Sequence, residues 1–362
     1  MPDPDSADDL IGTIVEDRYL IEAELGSGAM GTVYRGRHIK VQRTVAIKVL
    51  HDHLVRDPRM VERFEREALI AARLSHRNVA GVIDLGETPS GKKLMVLELA
   101  RGKSLLQLLS APMTRTRTVS LVRQLLHGLE HAHGKGLIHR DLKPENVLVE
   151  RTADGEVPRI VDFGIAVLRE PTGTPEQRRL TTAGTVLGTP MYMAPEQAQG
   201  LDVDARADLF ALGVIVYEML SGMSPFEGSG VEIMMANMTC DPPSIAERAG
   251  LVVDPALEAF ARQLMARDRD RRFASAREAL EVLELVDLDR ITAERRLGMP
   301  PVMTTLPTVV ERVVERVVPV PVRPVRRWMA ITVAILLAFV AGWCGGEHAS
   351  RPAPVVADGG TM

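Results

Sequence analysis

The apolar and polar pattern from Tyr19 to about Leu85 is mostly strand-like, with turn residues between the runs. One stretch breaks this rhythm. Residues 59–74, "RMVERFEREALIAARL", carry apolar side chains at helical spacing. From about Ser104 the pattern changes, and long helical periods such as 118–133 and 207–220 dominate. The expected fold class is therefore α+β, a small β-rich lobe with one helix followed by a larger helical lobe. The folded pattern ends near Val286. Beyond it lie Pro300, Pro301, Pro307, Pro319, Pro321 and Pro324, the composition of a linker. Within that linker "VVERVVERVV" (309–318) repeats every four residues. It reads either as a short dimer-forming helix with a drifting valine stripe or as a semi-rigid spacer.

A second apolar signal lies near the C-terminus. Residues 328–346, "WMAITVAILLAFVAGWCGG", contain no charge. About 19 residues at roughly 1.5 Å each span about 28 Å, close to a hydrocarbon core. Arg323, Arg326 and Arg327 precede the run, and Glu347 and His348 follow it. The positive-inside rule places the N-terminal bulk in the cytoplasm and residues 347–362 outside, with Trp328 and Trp343 at the two interfaces. The competing reading is a buried core helix, but neither flank offers a packing partner.

Composition narrows the class without naming a chemistry. The 362 residues are 46% hydrophobic and 25% charged, which is globular. A net charge of −4 gives no basic field, so nucleic acid is not an expected partner. Cys240 and Cys344 have neither metal-ligand spacing nor a disulfide framework. The acidic start, "MPDPDSADDL", lacks the basic and apolar regions of a cleaved signal peptide.

Four motifs carry the candidate chemistry. The first, "GSGAMGTV", runs through Gly26, Ser27, Gly28, Ala29, Met30, Gly31 and Val33. Glycines let a hairpin backbone approach phosphates without Cβ clashes. Strand-like segments lie on both sides, whereas a dinucleotide fingerprint opens a helix. The second is "VAIK", ending in Lys48, one strand-turn-strand beyond the glycines. Its ammonium can hold the α- and β-phosphates of a nucleotide. Glu67, on the 59–74 helix, is the best-placed anion to orient it; Glu62 and Glu65 compete.

The third motif is "HRDLKPENVLVE", residues 139–150, where mismatched polar groups precede an apolar strand. Asp141 can accept a proton from an attacking hydroxyl, and Lys143 can neutralise a γ-phosphate. Asn146 offers a hard oxygen to Mg²⁺, and Pro144 stiffens the loop. The fourth is "VDFGIA", where Asp162 supplies a carboxylate to the metal and Gly164 lets the chain turn. The interval between Asn146 and Asp162 suits a β-hairpin that returns both ligands to one ion. Further on, Glu196 in "GTPMYMAPE" can pair with Arg272 or simply face solvent.

Taken in order, Gly26/Gly28/Gly31, Lys48, Glu67, His139-Arg140-Asp141, Lys143, Asn146, Asp162-Phe163-Gly164 and Ala194-Pro195-Glu196 resemble the eukaryotic-type protein kinases. Lys143 and Thr189 resemble the serine/threonine branch. Kinase, linker and one membrane span together are similar to bacterial receptor-type kinases. The resemblance implies a bilobal kinase domain over 19–286, with an N-lobe at 19–98 and a C-lobe at 101–286. A disordered acidic N-terminus (1–18), a juxtamembrane linker (287–327), a transmembrane helix (328–346) and a short tail (347–362) complete the layout. It also implies that Val33, Ala46 and Leu148 sandwich an adenine and that Leu97 is the gatekeeper. The backbone of Glu98–Ala100 would bond the adenine edge, and Asp208 would anchor the catalytic loop from a buried helix.

The implied cofactors are ATP and Mg²⁺, with Mn²⁺ as an alternative, and the implied partners are protein substrates. Arg140, beside the catalytic acid, would pair with a phosphate on the activation loop and order it. That loop, 162–196, holds Thr172, Thr174, Thr181, Thr182, Thr185 and Thr189. Thr181 and Thr182 are the expected main sites, modified in trans within a homodimer, with Thr185 a further regulatory candidate. Thr189 is assigned a structural role near the substrate. Two other readings are a pseudokinase scaffold, disfavoured because Lys48, Asp141 and Asp162 are all present, and a small-molecule kinase, disfavoured by the threonine-rich loop and "APE". An adaptor role for 287–327 is compatible with catalysis. The 16-residue external tail, Pro/Gly-rich, has no room for a folded sensor.

Overall fold

A computed structural model describes residues 10–28, 31–56, 58–163 and 190–299, with the side chains of His53, Val55, Arg59, Arg63 and Glu67 outside that description. The expected membrane span, most of the linker, the external tail, Ala29, Met30, Gly164 and the activation-loop threonines all lie outside the described residues. Among the described residues, no helix is long and apolar enough to cross a membrane.

Nine strands among the described residues form two sheets. The larger has the order β1-β2-β3-β4-β6-β5, antiparallel throughout, and the smaller has the order β7-β8-β9. The strands are β1 (Ile14–Val15), β2 (Tyr19–Gly28), β3 (Gly31–His38), β4 (Thr44–Leu50), β5 (Val82–Glu87), β6 (Lys93–Glu98), β7 (Lys103–Ser104), β8 (Val147–Thr152) and β9 (Gly155–Ile160). The central strand β4, "TVAIKVL", shows how the sequence sets the sheet's two faces. Val45, Ile47 and Val49 enter one apolar cluster with Tyr19, Ile21 and Val96. Ala46 and Leu50 enter the other, with Phe64, Ala68, Met95 and Leu97. Successive side chains in a strand point to opposite faces, so Lys48 shares the face of Ala46 and Leu50.

Helix Pro58–Ala71 packs on that second face. Its proline occupies the start, where a missing N–H is harmless, and Phe64, Ala68 and Ala71 are buried at i, i+4 and i+7. The helical stretch read at 59–74 corresponds to this element.

The C-lobe is built around helix Arg206–Ser221, buried from Ala207 to Ser221 on every side, as an all-round apolar helix requires. At Gly213 a Cβ would lie 2.7 Å from the Leu264 Cβ, so only glycine lets helix Pro255–Leu264 pack this closely. Helix Arg115–His133 packs on Ala276–Leu288, and Arg115 donates to Asp287 of that helix and to Asp254, the N-cap of Pro255–Leu264, each at 2.7 Å.

Two boundaries differ from expectation. The helical lobe does not stop near Val286. Ala276–Leu288 continues into helix Arg290–Arg296, where Ala293 is fully buried and Leu297 and Met299 pack on the lobe's core. Charged residues dominate that last helix, which hides its single buried alanine from a periodicity count. At the other end, residues 10–18 are not part of a disordered tail. Ile14–Val15 pairs with Leu20 and Tyr19, and Val15 is buried. The element is too short to leave a period in the sequence.

Candidate active site

The glycine-rich stretch is a β-hairpin end: Gly28 of β2 faces Gly31 of β3. A Cβ on Gly31 would collide with the Val49 carbonyl oxygen, while Gly26 and Gly28 face open space. Lys48 on β4 sits opposite Val33 on β3 and Met95 on β6. Val33, Ala46 and Leu97 belong to one apolar cluster. Leu148, on β8, is half-buried, whereas its neighbours Val147 and Val149 enter the C-lobe core. It therefore lies on the opposite face of that strand. The Glu98 backbone N–H is taken by the Gly81 carbonyl at 2.9 Å.

The Lys48 side chain is 8% exposed, and its Nζ donates to Asp162 Oδ2 at 3.0 Å, across 114 residues of sequence. The Glu67 side chain lies outside the description. Of its competitors, Glu65 is turned away, accepting from Lys93 Nζ at 2.9 Å.

The catalytic-loop candidates converge from the other side. Lys143 Nζ lies 3.3 Å from Asp141 Oδ2. Asn146 Nδ2 donates to the Asp141 carbonyl at 2.8 Å, so its amide oxygen is the atom left for a ligand. The β8–β9 hairpin returns the chain, and the Val161 N–H donates to the Asn146 carbonyl at 2.9 Å. Asp162 and Asn146 are thus brought side by side. Two hard oxygen donors fit Mg²⁺, whose remaining positions are ordinarily filled by phosphates and water. Among the described residues, no three His, Cys, Asp or Glu side chains converge on a cation site.

Two non-glycine residues here adopt left-handed backbone: Arg140 (φ 65) and Asp162 (φ 65). Such conformations cost about 1–3 kcal/mol each and persist where surroundings over-determine them. Asp208 supplies that constraint at Arg140. Buried at 0% exposure on helix Arg206–Ser221, it accepts from the His139 and Arg140 backbone N–H groups, both at 2.8 Å. His133 Nε2 lies 2.8 Å from its Oδ2. Burial alone would raise this carboxyl, yet the hydrogen bond and charge of His133 and the His139 contacts hold it below the usual carboxylate range. The Arg140 carbonyl in turn accepts from Gln197 Nε2 at 2.8 Å. His139 Nε2 reaches the Val161 carbonyl at 2.8 Å, and its ring meets Phe163 edge-on at 4.7 Å. The imidazole therefore couples the two loops.

Glu196 and Arg272 do pair, buried, through contacts of 2.6 and 2.8 Å. Sequence reasoning missed His133, Gln197 and the buried pair of Tyr192 with Glu218, whose Oε2 accepts from the Tyr192 hydroxyl at 2.8 Å. Burial pushes Glu218 up to about 7 despite that hydrogen bond, and nearby Glu145 adds to the rise. A charged residue in the middle of the apolar run "VIVYEML" was the available signal for Glu218. Nothing in the sequence marked His133 or Gln197.

A family model described as protein kinase domain matches residues 19–283. The chain is 39% identical over 306 residues to serine/threonine-protein kinase pkn3 of Myxococcus xanthus, covering 83% of this chain and 55% of that protein. It is 34% identical over 306 residues to serine/threonine-protein kinase PknL of Mycobacterium tuberculosis, covering 83% of this chain and 73% of that one. The crystal structure of the Mycobacterium tuberculosis PknI kinase domain superposes with a TM-score of 0.59 at 27% identity, over 75% of this chain and 97% of that domain. The chain spans 55%, 32% and 45% of the lengths of three Myxococcus xanthus relatives.

Proposed function

This chain belongs to the protein kinase family, and we propose that it is a membrane-anchored, ATP-dependent serine/threonine protein kinase. The observation that carries the reading is the junction of Lys48 and Asp162 at 3.0 Å beside the Asp141–Asn146 loop. A lysine from the N-lobe meets an acid from the C-lobe, and the lysine lies on the strand paired with the second strand of the glycine hairpin. Phosphoryl transfer requires positioning and charge neutralisation more than covalent chemistry, and this set supplies both.

In the proposed roles, Lys48 holds the α- and β-phosphates, and Glu67 orients it. Gly26 to Gly31 cover the phosphates. Val33, Ala46, Leu97 and Leu148 enclose the base, with the Glu98–Ala100 backbone at its edge. Asp162 and the Asn146 amide oxygen hold Mg²⁺. Bound Mg-ATP supplies the transferable phosphoryl group and neutralises part of its charge. Asp141 orients the substrate hydroxyl and takes its proton as the hydroxyl oxygen bonds to the γ-phosphorus and the bond from that phosphorus to the β–γ bridging oxygen breaks, with ADP as the leaving group; Lys143 offsets charge on the group in transit. Asp208 and Gln197 hold the Arg140 backbone on its two sides, which fixes where Asp141 points.

Regulation is proposed to run through phosphorylation of Thr181 and Thr182, with Thr185 as a further site, in trans within a homodimer and read by Arg140. Residues 328–346 are proposed to span the membrane once, with the kinase domain in the cytoplasm. Concentrating copies on one surface favours transfer between them. The test incubates the full chain with Mg-ATP and a generic basic protein, beside Lys48→Met and Asp162→Asn. Transfer confined to wild type, with phosphate mapped to 172–189, is expected. Equal transfer by all three proteins would end the proposal.

A further inference from the structure

Beside the segment Glu98–Ala100, the hinge between the two lobes, lies a cavity of about 360 Å³ lined by Gln42, Arg43, Thr44, Glu98, Arg101 and Arg159 among others. Its size falls in the range of small-molecule sites, about 300–1,000 Å³. Three guanidinium groups share it with one carboxylate, so its walls carry a net charge of +2.

The single carboxylate does not satisfy the three arginines. Glu98 Oε1 accepts from Arg43 Nη2 at 2.8 Å. Glu98 Oε2 lies 3.6 Å from Arg159 Nη1, beyond hydrogen-bond length. Arg159 Nε is buried with no hydrogen-bond partner among the described residues. Buried donors of this kind are rare and call for an acceptor. Arg101 is exposed and makes no ion pair among the described residues. The arginines also come from separate elements: Arg43 precedes β4 in the N-lobe, Arg101 follows the hinge, and Arg159 lies on β9. A set that only neutralised Glu98 would need one of them.

We propose that this cavity binds a phosphate dianion, free or carried as a phosphomonoester, between Arg43, Arg101 and Arg159. Guanidinium forks match phosphate oxygens in pairs, and a dianion balances the net charge of the walls. The Thr44 hydroxyl, on the same wall, is a further donor. Occupancy draws Arg43 and Arg159 away from Glu98. Bound anion and Glu98 carboxylate therefore compete, and the anion ties the N-lobe to the C-lobe across the hinge. The site stands on its own geometry and does not rest on the proposed kinase activity.

The test titrates inorganic phosphate, and separately O-phosphothreonine, into the full chain by calorimetry at constant ionic strength. Wild type should bind one equivalent saturably. Arg43→Gln/Arg101→Gln, both at exposed positions, should weaken binding by about tenfold or more. Glu98→Gln should tighten it by about threefold or more, a gain that misfolding cannot mimic. Binding should persist in Lys48→Met, which separates this site from the cleft. Tighter binding of O-phosphothreonine identifies a phosphorylated residue as the occupant, and tighter binding of inorganic phosphate identifies the free ion; either carries the site. No saturable binding, or binding lost in Lys48→Met and kept in Arg43→Gln/Arg101→Gln, overturns it.

Discussion

Arg272 clasps Glu196 through two nitrogens, at 2.6 and 2.8 Å, with 0% and 6% of the two side chains exposed. The same guanidinium donates to the carbonyls of Ala266, Arg206 and Arg267 and lies over the Phe210 ring at 5.0 Å. The pair fastens the segment after the activation loop to the C-lobe. Removing one member of a buried pair strands the other, at a cost of about 3–5 kcal/mol. Glu196→Ala should fall in that range. Arg272→Ala should cost more, because three carbonyls also lose their donor. Urea unfolding of the two variants checks the order; a milder effect for Arg272→Ala would contradict it.

The Lys48–Asp162 contact makes a different prediction. The two are proposed to act on one phosphate-metal assembly, so their losses should overlap. Lys48→Met or Asp162→Asn alone should lower phosphate transfer by roughly 10²–10³-fold. The double variant should lose little more, because groups that act as a unit are not additive. Single-turnover transfer measurements on the two single variants and the double variant decide this. Multiplied losses would mean that the residues act separately.

Much of this site is legible in the sequence alone. Apolar runs broken by unmatched polar groups mark Lys48, Asp141, Asn146 and Asp162, and the hairpin returning Asn146 beside Asp162 follows from their spacing. The helix at 58–71 and the central helix at 206–221 are readable as periods. What stays hidden is what sequence cannot carry: burial and distant partners. Glu196 looks like an ordinary surface acid until helix packing encloses it. The contact between Lys48 and Asp162, 114 residues apart, is also absent from any sequence pattern; the glutamate that the sequence assigns to Lys48, Glu67, has its side chain outside the described residues. His133 and Gln197 have no unusual neighbours in sequence, and only the fold brings them to Asp208 and the Arg140 carbonyl. Val15 lies on a two-residue strand and Ala293 is the one buried residue of a short charge-rich helix, so both ends of the folded domain reach beyond the periodic signal.

Asp208 offers a test of positioning as distinct from chemistry. It touches no substrate; it holds two backbone N–H groups that set the Arg140 conformation. Asp208→Asn keeps one acceptor and turns an amide donor toward the other site. The expected result is a fall in kcat of about tenfold to a hundredfold with the ATP KM little changed, since Lys48 and the hinge are untouched. A rise in KM without a fall in kcat would assign Asp208 to nucleotide binding instead.

Glu218 predicts how stability follows pH. Its carboxyl is held at about 7 in the folded protein, against 4.5 for an ordinary glutamate. The folded state therefore keeps the proton over a range where the unfolded chain has lost it. Stability from this group is fully present below about 4.5 and is lost as pH rises toward 7, by about 3 kcal/mol in all. Glu218→Gln still accepts from the Tyr192 hydroxyl through its amide oxygen and cannot ionise. The variant should match wild type near pH 4.5 and exceed it above pH 7, in denaturation midpoints measured across that range. Tyr192→Phe removes the hydrogen bond that stabilises the ionised form, so it should move the wild-type decline to higher pH without abolishing it. A stability difference between Glu218→Gln and wild type that stays constant with pH would show that this carboxyl does not titrate in the folded protein.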